Sequence, residues 1–211
     1  MGSRSRSTFI KVSVIDYAMA KRVFIIHGWG GSPKGCWIPW LKKELEKMNF
    51  KVEALSMPNP ENPKIEQWVE FLSKAVKKPD RHTYFVGHSV GCQTILRYLE
   101  KIKHKVGGAV FVAGWFSLGP DSTPTKEEKQ IAKQWIETKI DFEKIKKITE
   151  NFTAIFSDDD PDVPLKNSKL FSQKLHAKIV MEKNKGHFSD DAGVRELPVA
   201  LEELLRISKL F

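Results

Sequence analysis

The sequence predicts an α/β fold in which helices cover both faces of a mainly parallel sheet. Short apolar, β-favouring runs alternate along the chain with segments whose apolar residues recur at helical spacing. One of these runs, Gly107 to Ala113, is composed of small or β-branched residues apart from Phe111. Such a strand is expected to be buried on both faces, as the central strands of parallel sheets are. A ligand of this kind of fold binds at the carboxyl ends of the strands.

The elements follow one another along residues 19–211, a length that suits one domain with a full core. The predicted strands are Lys21–Gly28, Val52–Leu55, Tyr84–Val86, Gly107–Ala113, Phe152–Phe156 and Ala177–Met181. The predicted helices cover 37–48, 65–76, 92–99, 126–137, 141–148, 166–176 and about 194–207. Residues 115–140 are predicted to be a short cap-like insertion that begins with a Gly/Pro/Ser/Thr-rich loop. Pro58, Pro60 and Pro63 predict a stiff surface loop.

Residues 1–18 are expected to be an N-terminal extension. The segment from Phe9 to Ile15 alternates enough to be an added edge strand, and a tag or an upstream start are the alternatives. Lys11 and Asp16 interrupt its apolar part, so a secretory signal is not expected. The chain has no apolar run near the roughly 20 residues that a membrane span needs. We therefore expect a cytoplasmic protein with no membrane span.

The net charge of +9 and the pI of about 9.4 raise the question of a nucleic-acid partner. The positive charge is mostly lysine, however, and it is scattered along predicted helices together with glutamate. No basic block is interleaved with aromatic residues, so a solvated lysine surface is the interpretation and no nucleic acid is expected. Cys36 and Cys92 form no metal pattern, and both are expected to be reduced thiols.

The segment Gly87-His88-Ser89-Val90-Gly91 has the pattern G-x-S-x-G between a predicted strand and a predicted helix. Small residues are needed at 87 and 91 because side chains there would collide with the neighbouring strand and helix. The free N–H groups at the start of the helix point at any oxyanion formed beside Ser89. A glycine-flanked turn with an ordinary serine is the alternative. In this context the pattern resembles the nucleophile elbow of the α/β-hydrolases.

A serine nucleophile needs a base, and in α/β-hydrolases the order along the chain is serine, acid, histidine. Only His176 and His187 follow the acidic loop. His176 ends an amphipathic helix, where a surface or capping role is expected. His187 lies just after the sixth predicted strand, so we predict that it is the base.

The acid is expected in the loop 157–164, directly after the fifth predicted strand. The recurrent hydrolase form is a small residue, two spacers, the aspartate, two more residues and then an apolar residue, which Ser157, Asp160 and Val163 fit. Asp160 is therefore the predicted acid, with Asp159 and Asp162 as alternatives. A solvated acidic turn and a calcium loop are the other interpretations, but the loop lacks the glycine and distal glutamate of an EF-hand.

The oxyanion hole needs two backbone donors, which we assign to the N–H groups of Val90 and Trp29. His27 and His88 flank this region and are expected to be structural or to line the pocket. Trp29 and Trp115 are candidates for the pocket walls, although each could instead belong to the core.

Taken together, residues 21–207 resemble the α/β-hydrolase superfamily, and more narrowly the small serine hydrolases related to retinoblastoma-binding protein 9. The narrower resemblance depends on residues 40–46, on Met57-Pro58-Asn59-Pro60, on the absence of a large lid, and on Asp160-Pro161 followed by Gly186-His187-Phe188. It implies the α/β-hydrolase fold with strand order 2-1-3-4-5-6, and a serine-dependent esterase or peptidase with no cofactor and no metal. The first loop, His27 to Gly31, is closer to ordinary esterases. The Leu-x-Cys-x-Glu pattern that binds retinoblastoma-type pockets is absent, so nothing supports that partner.

The predicted function is hydrolysis of short-chain carboxyl esters through Ser89, His187 and Asp160. The expected partner is a small acyl-ester substrate, and the protein is expected to be a monomer or a homodimer. The alternatives are a catalytically weak binding or scaffold protein that kept the hydrolase fold, and a serine peptidase or amidase acting on small substrates.

Overall fold

A computed structural model describes residues 20–209 of the chain. Its centre is a six-stranded sheet with neighbours in the order β2-β1-β3-β4-β5-β6, and all five pairings are parallel. The strands are β1 (Arg22–Ile26), β2 (Lys51–Leu55), β3 (Thr83–His88), β4 (Gly108–Val112), β5 (Phe152–Ser157) and β6 (Lys178–Glu182). The predicted fold class and strand order are confirmed. The expectations for residues 1–18 lie outside the described residues.

Two groups of helices cover the sheet. The helices are α1 (Ile38–Lys47), α2 (Ile65–Val76), α3 (Val90–Lys101), α4 (Lys126–Glu137), α5 (Phe142–Ile148), α6 (Lys166–Leu175) and α7 (Pro198–Ile207). Helices α1 and α7 contact each other, whereas α2, α3, α5 and α6 are successive neighbours. The sheet is therefore the middle layer of three, as the alternation of elements predicts.

The start of the last helix differs from the prediction, and the end of α6 agrees with it. The last helix begins at Pro198 and not near Val194, because proline is suited to the first helical position and lacks the N–H that a longer helix would need. Helix α6 ends at Leu175, and His176 follows as its cap in the left-handed conformation, with φ of 54°. The predicted capping role of His176 is thus the one the structure shows.

The central strands carry the core. Every residue of β3, β4 and β5 is buried, which confirms the prediction for the apolar run around β4. Burial on both faces fixes these strands rigidly, so the loops at their carboxyl ends start from well-defined positions.

The insertion after β4 is tied to the proline-rich loop after β2. Helix α4 begins with a capping box, in which Thr125 accepts from the Glu128 N–H and the Glu128 side chain accepts from Thr125. From the far end of α4, the buried indole N–H of Trp135 donates to the Pro63 carbonyl at 3.0 Å. The insertion is thereby held above the carboxyl edge of the sheet. Within residues 20–209, no helix has the length and apolar character needed to cross a membrane.

Candidate active site

Ser89 occupies a strained turn between β3 and α3. Its backbone has φ of 52° and ψ of −120°, a conformation that costs free energy and persists only when the surroundings enforce it. A Cβ at Gly87 would lie 2.8 Å from the Cys92 nitrogen, and one at Gly91 would lie 2.4 Å from the Ile26 carbonyl oxygen. The turn therefore requires both glycines, one for the approach of the helix and the other for the approach of β1. The clashes predicted at these two positions are confirmed.

Ser89 is part of the lining of a cavity, and the residue is only 7% exposed. Its Oγ accepts a hydrogen bond of 3.2 Å from the indole N–H of Trp115. Among the hydrogen bonds of residues 20–209, none joins this hydroxyl to the His187 ring. Both residues nevertheless line the same cavity, so the structure brings them to one site without a direct bond.

His187 lies in the loop after β6 and is paired with Asp160. Its Nδ1 is 3.0 Å and 3.1 Å from the two carboxylate oxygens of Asp160. The same carboxylate accepts from the backbone N–H groups of Asp162 and Val163, at 2.9 and 3.0 Å. Because the Asp160 side chain is buried and held by two backbone donors, it fixes one orientation of the imidazole, with the proton on Nδ1 and Nε2 free to accept.

The neighbouring aspartates hold the two loops together. Asp158 accepts from the Asn184 N–H at 3.0 Å, and Asp159 accepts from the Gly186 N–H at 2.8 Å. These two bonds connect the loop after β5 to the loop that carries His187. The carboxylate of Asp162, the other alternative acid, is 4.0 Å from His187 Nδ1 and partly exposed. Of the three candidate acids, the structure therefore places Asp160 against the imidazole.

His88 supports the backbone of His187. Its Nε2 donates to the His187 carbonyl at 2.8 Å, and its ring stacks edge-on against Trp37. Burial, followed by the charge of nearby His187, lowers the pKa of His88 to about 3. His88 is therefore a neutral imidazole with its proton on Nε2, which suits a structural residue.

His27 has a similar role in the first loop. Its Nε2 accepts from the Met57 N–H at 3.1 Å, and its Nδ1 donates to the Gly28 carbonyl at 2.7 Å. Burial lowers the pKa of His27 as well, with the Gly28 bond opposing that shift. The ring thus ties the loop after β1 to the loop after β2, and both histidines also line the cavity.

The segments that carry the predicted oxyanion donors, Val90 and Trp29, both approach Ser89. The Val90 N–H begins α3, where backbone N–H groups have no acceptor within the helix. On the other side, a Cβ at Gly28 would lie only 3.3 Å from the Ser89 Cβ, so the backbone leading into Trp29 passes close to the hydroxyl. The Trp29 indole donates to the Glu61 carbonyl at 3.0 Å, which anchors this loop. Both tryptophans proposed as walls, at 29 and 115, line the cavity.

The cavity has a volume of about 500 Å³. Besides the residues above, its lining includes carboxylates that the sequence analysis did not single out, namely Glu61, Glu128, Asp190 and Asp191. Asp190 accepts from the Cys36 N–H at 2.9 Å and pairs with Arg195, so it joins the first loop to the loop before α7. No motif marks Asp190 in the sequence, because its role depends on the meeting of two distant loops.

One group of side chains has the spacing of a metal site. Ligand atoms of Asp160, Asp162 and His187 lie within 4.8 Å of one another. In that group the Nδ1 of His187 is the atom that faces Asp160, so the same side chains form the hydrogen-bonded pair described above. An acid-oriented imidazole, a strained serine and free backbone N–H groups around one cavity can perform acyl transfer.

Comparisons with known proteins agree with this chemistry. A family model described as "Serine hydrolase" matches residues 23–206. The protein YdeN of Bacillus subtilis is 35% identical over 188 residues, covering 88% of this chain and 95% of YdeN. The crystal structure of the ydeN gene product superimposes with a TM-score of 0.82 at 34% identity, covering 90% of this chain and all of that one. Serine hydrolase RBBP9 of Rattus norvegicus is 28% identical over 196 residues, covering 91% of this chain and 96% of RBBP9.

Proposed function

The chain belongs to the serine hydrolase family, and from this we propose that it is a carboxylesterase that acts through Ser89, His187 and Asp160. The observation that carries the proposal is the arrangement around one cavity of a strained, buried serine and a histidine whose Nδ1 is held by a buried carboxylate. A base oriented in this way leaves Nε2 free to accept a proton from the nucleophile. Hydrogen bonds between nucleophile and base are often long without substrate and tighten when it binds.

In the first half of the reaction, Ser89 Oγ attacks the acyl carbon while its proton passes to His187 Nε2. The carbonyl electron pair moves onto the oxygen, where the N–H groups of Val90 and Trp29 stabilise the negative charge. The ester C–O bond then breaks, and the alcohol leaves with the proton from His187. Asp160 stabilises the imidazolium during this transfer.

In the second half, water attacks the acyl-enzyme and gives its proton to His187. The bond between the acyl carbon and Oγ breaks, the electron pair returns to Oγ, and His187 returns the proton to it. The products are a carboxylic acid and the free enzyme. All the groups needed are provided by the chain, so the proposal includes no cofactor.

Short acyl esters are the proposed substrates. The cavity is bounded by the indoles of Trp29 and Trp115 and by the insertion residues Leu118 and Thr123. Of these residues, Trp115 contacts Ser89 directly, at 3.2 Å, and so narrows the space for the acyl chain beside the nucleophile. A pocket of this shape gains roughly 0.8 kcal/mol for each methylene that it buries and nothing for carbons left in water.

The decisive test is Ser89→Ala with p-nitrophenyl butyrate as substrate. Loss of a triad nucleophile typically lowers the rate on the order of 10³- to 10⁶-fold. A fluorophosphonate probe should label the wild-type protein and not the variant, because labelling requires an activated serine. Ser73→Ala, an exposed serine on α2 far from the cavity, is the matched control and should be labelled like wild type. A folded Ser89→Ala protein with near-normal turnover would refute the proposed function, and absence of labelling in the wild type would favour a binding protein.

A further inference from the structure

Ser89 Oγ has a hydrogen-bond donor that the reaction described above does not use. The indole N–H of Trp115 donates to it at 3.2 Å, and both side chains are buried. An indole nitrogen can only donate a hydrogen bond, so it places the positive end of its N–H dipole against the hydroxyl oxygen. The donor is directed at the nucleophilic oxygen itself and not at the place of the carbonyl oxyanion.

The backbone that carries the indole is held in place by two buried side-chain amides. The Trp115 carbonyl accepts from Gln93 Nε2 at 2.8 Å, and Gln93 lies on α3 one turn after Ser89. Asn167, on α6, accepts from the N–H groups of Phe116 and Ser117 at 2.8 and 3.2 Å. Gln93 and Asn167 are both buried, so these contacts are shielded from water. These bonds fix the backbone that carries the indole, and Trp115 itself is 1% exposed, so the surrounding packing restricts rotation of the ring.

The charge on the acceptor decides when this bond matters. At 3.2 Å it lies at the long end of the usual range for an N–H···O bond, and a bond to an ionised oxygen is shorter and stronger than one to a neutral hydroxyl. Negative charge on Oγ rises twice in the cycle, when its proton leaves during attack and when the acyl carbon departs at the end. A donor that binds charged oxygen better than the neutral hydroxyl lowers both barriers, because only interactions that strengthen in the transition state accelerate a step.

We propose that Trp115 is a catalytic residue whose indole N–H stabilises the developing charge on Ser89 Oγ in both half-reactions. Gln93 and Asn167 are positioning residues that act through the Trp115 backbone. This inference rests on the proposed function, in which Ser89 is the nucleophile. It differs from the expectation that Trp115 is only a pocket wall, because a wall needs the shape of the ring and not its N–H.

The test separates the contribution of the indole N–H donor from that of the shape of the ring. Trp115→Phe keeps an aromatic ring without a donor, and replacement of Trp115 by benzothienylalanine keeps the bicyclic shape with sulfur in place of N–H. Trp37→Phe is the control, since Trp37 is also fully buried and packs on His88, but its indole nitrogen has no hydrogen-bond partner among the described residues. The assays are kcat and KM for p-nitrophenyl butyrate and the rate constant for inactivation by a fluorophosphonate.

Both Trp115 variants should lose about 10- to 100-fold in kcat with KM within about threefold of wild type, less than the loss of a full oxyanion donor. Fluorophosphonate inactivation should slow in parallel, since it also begins with attack by Oγ. Trp37→Phe should retain kcat within about threefold, because it loses no hydrogen bond.

A benzothienyl variant with wild-type kcat would show that Trp115 is only a wall, and faster inactivation would show that the N–H restrains the hydroxyl; either result overturns the inference. Ser89→Ala measured alongside separates the two proposals, because its inactivity supports the proposed function whatever Trp115 does.

Discussion

Replacement of Asp160 by asparagine tests the proposed acid at a single atom. Asp160 Oδ1 accepts from two backbone N–H groups, of Asp162 and Val163, so in the variant the amide oxygen must stay at that place. The amide NH₂ then takes the place of Oδ2, 3.0 Å from His187 Nδ1, while the amide oxygen 3.1 Å from Nδ1 already accepts from two backbone N–H groups. The NH₂ group opposes a proton on Nδ1, and the neutral amide no longer stabilises the imidazolium, so the tautomer with the proton on Nε2 is favoured. In that tautomer His187 cannot accept a proton from Ser89.

The expected loss in kcat is about 10³- to 10⁴-fold, since the same tautomer change costs about 10⁴-fold in the well-studied serine protease triad. KM should change little, because no group that binds substrate is removed. Asp160→Asn should also melt close to wild type, since asparagine retains both backbone hydrogen bonds through its oxygen.

The neighbouring aspartates provide matched controls. In Asp159→Asn the amide oxygen can still accept from Ser157 and Gly186, which now donate to the carboxylate at 2.6 and 2.8 Å. In Asp162→Asn the lost charge was 4.0 Å from the imidazole and partly exposed, so solvent screens most of its effect. Each control should lose less than about tenfold in kcat.

Hydrolysis of p-nitrophenyl butyrate by the three purified variants, with melting temperatures, is the measurement. Mild and equal losses in all three would refute the choice of Asp160. A large loss confined to Asp162→Asn would instead assign the acid to that residue.

Two further predictions concern the pocket and the buried histidine. The kcat/KM for p-nitrophenyl esters should peak between acetate and hexanoate and fall by decanoate, and Trp115→Ala should move the peak toward longer chains; a wild-type optimum at decanoate would show that the insertion works as a lipid-binding cap. Because burial lowers the pKa of His88 to about 3, the folded state resists a proton that the unfolded chain accepts. Above pH ~6.5, His88 is neutral in both states and does not lower the free energy of unfolding. Below that pH the unfolded chain gains a proton that the folded state does not, so the free energy of unfolding decreases, by about 2 kcal/mol at pH 5. Chemical denaturation from pH 8 to pH 5 should show a smaller decrease for His88→Gln, and parallel curves would contradict the assignment.

Most of the fold could be predicted because its signals are local. Helical spacing and short β-branched runs repeat along the chain, and parallel alternation of strands and helices restricts the topology. The two glycines of the serine turn were also predictable, since the collisions they avoid are with the adjoining strand and helix. The start of α7 was wrong by four residues because apolar residues before Pro198 continue the helical spacing while the proline fixes the first turn.

The contacts that refine the site were beyond the reach of the sequence. The bond from Trp115 to Ser89 joins residues 26 positions apart through the register of β3 and β4, and nothing in the local pattern distinguishes a wall from a donor. The division of roles among Asp158, Asp159 and Asp160 likewise depends on which backbone N–H groups the opposite loop presents. Four acidic residues in one loop look alike in composition and become distinct only when the loop after β6 lies against them.

The charge of the whole chain is also a poor guide to the charge of the site. The net charge is +9, yet within the described residues the cavity is lined by Glu61, Asp162, Asp191 and other carboxylates and by no lysine or arginine. The buried histidines do not offset this, since burial keeps His27 and His88 neutral. A concave site concentrates the potential of the groups that line it, and distant surface charges are screened within about 10 Å by salt. The lysines of the exterior are therefore screened from the cavity, whereas the carboxylates of its lining, apart from Asp190 with its partner Arg195, set the potential beside Ser89.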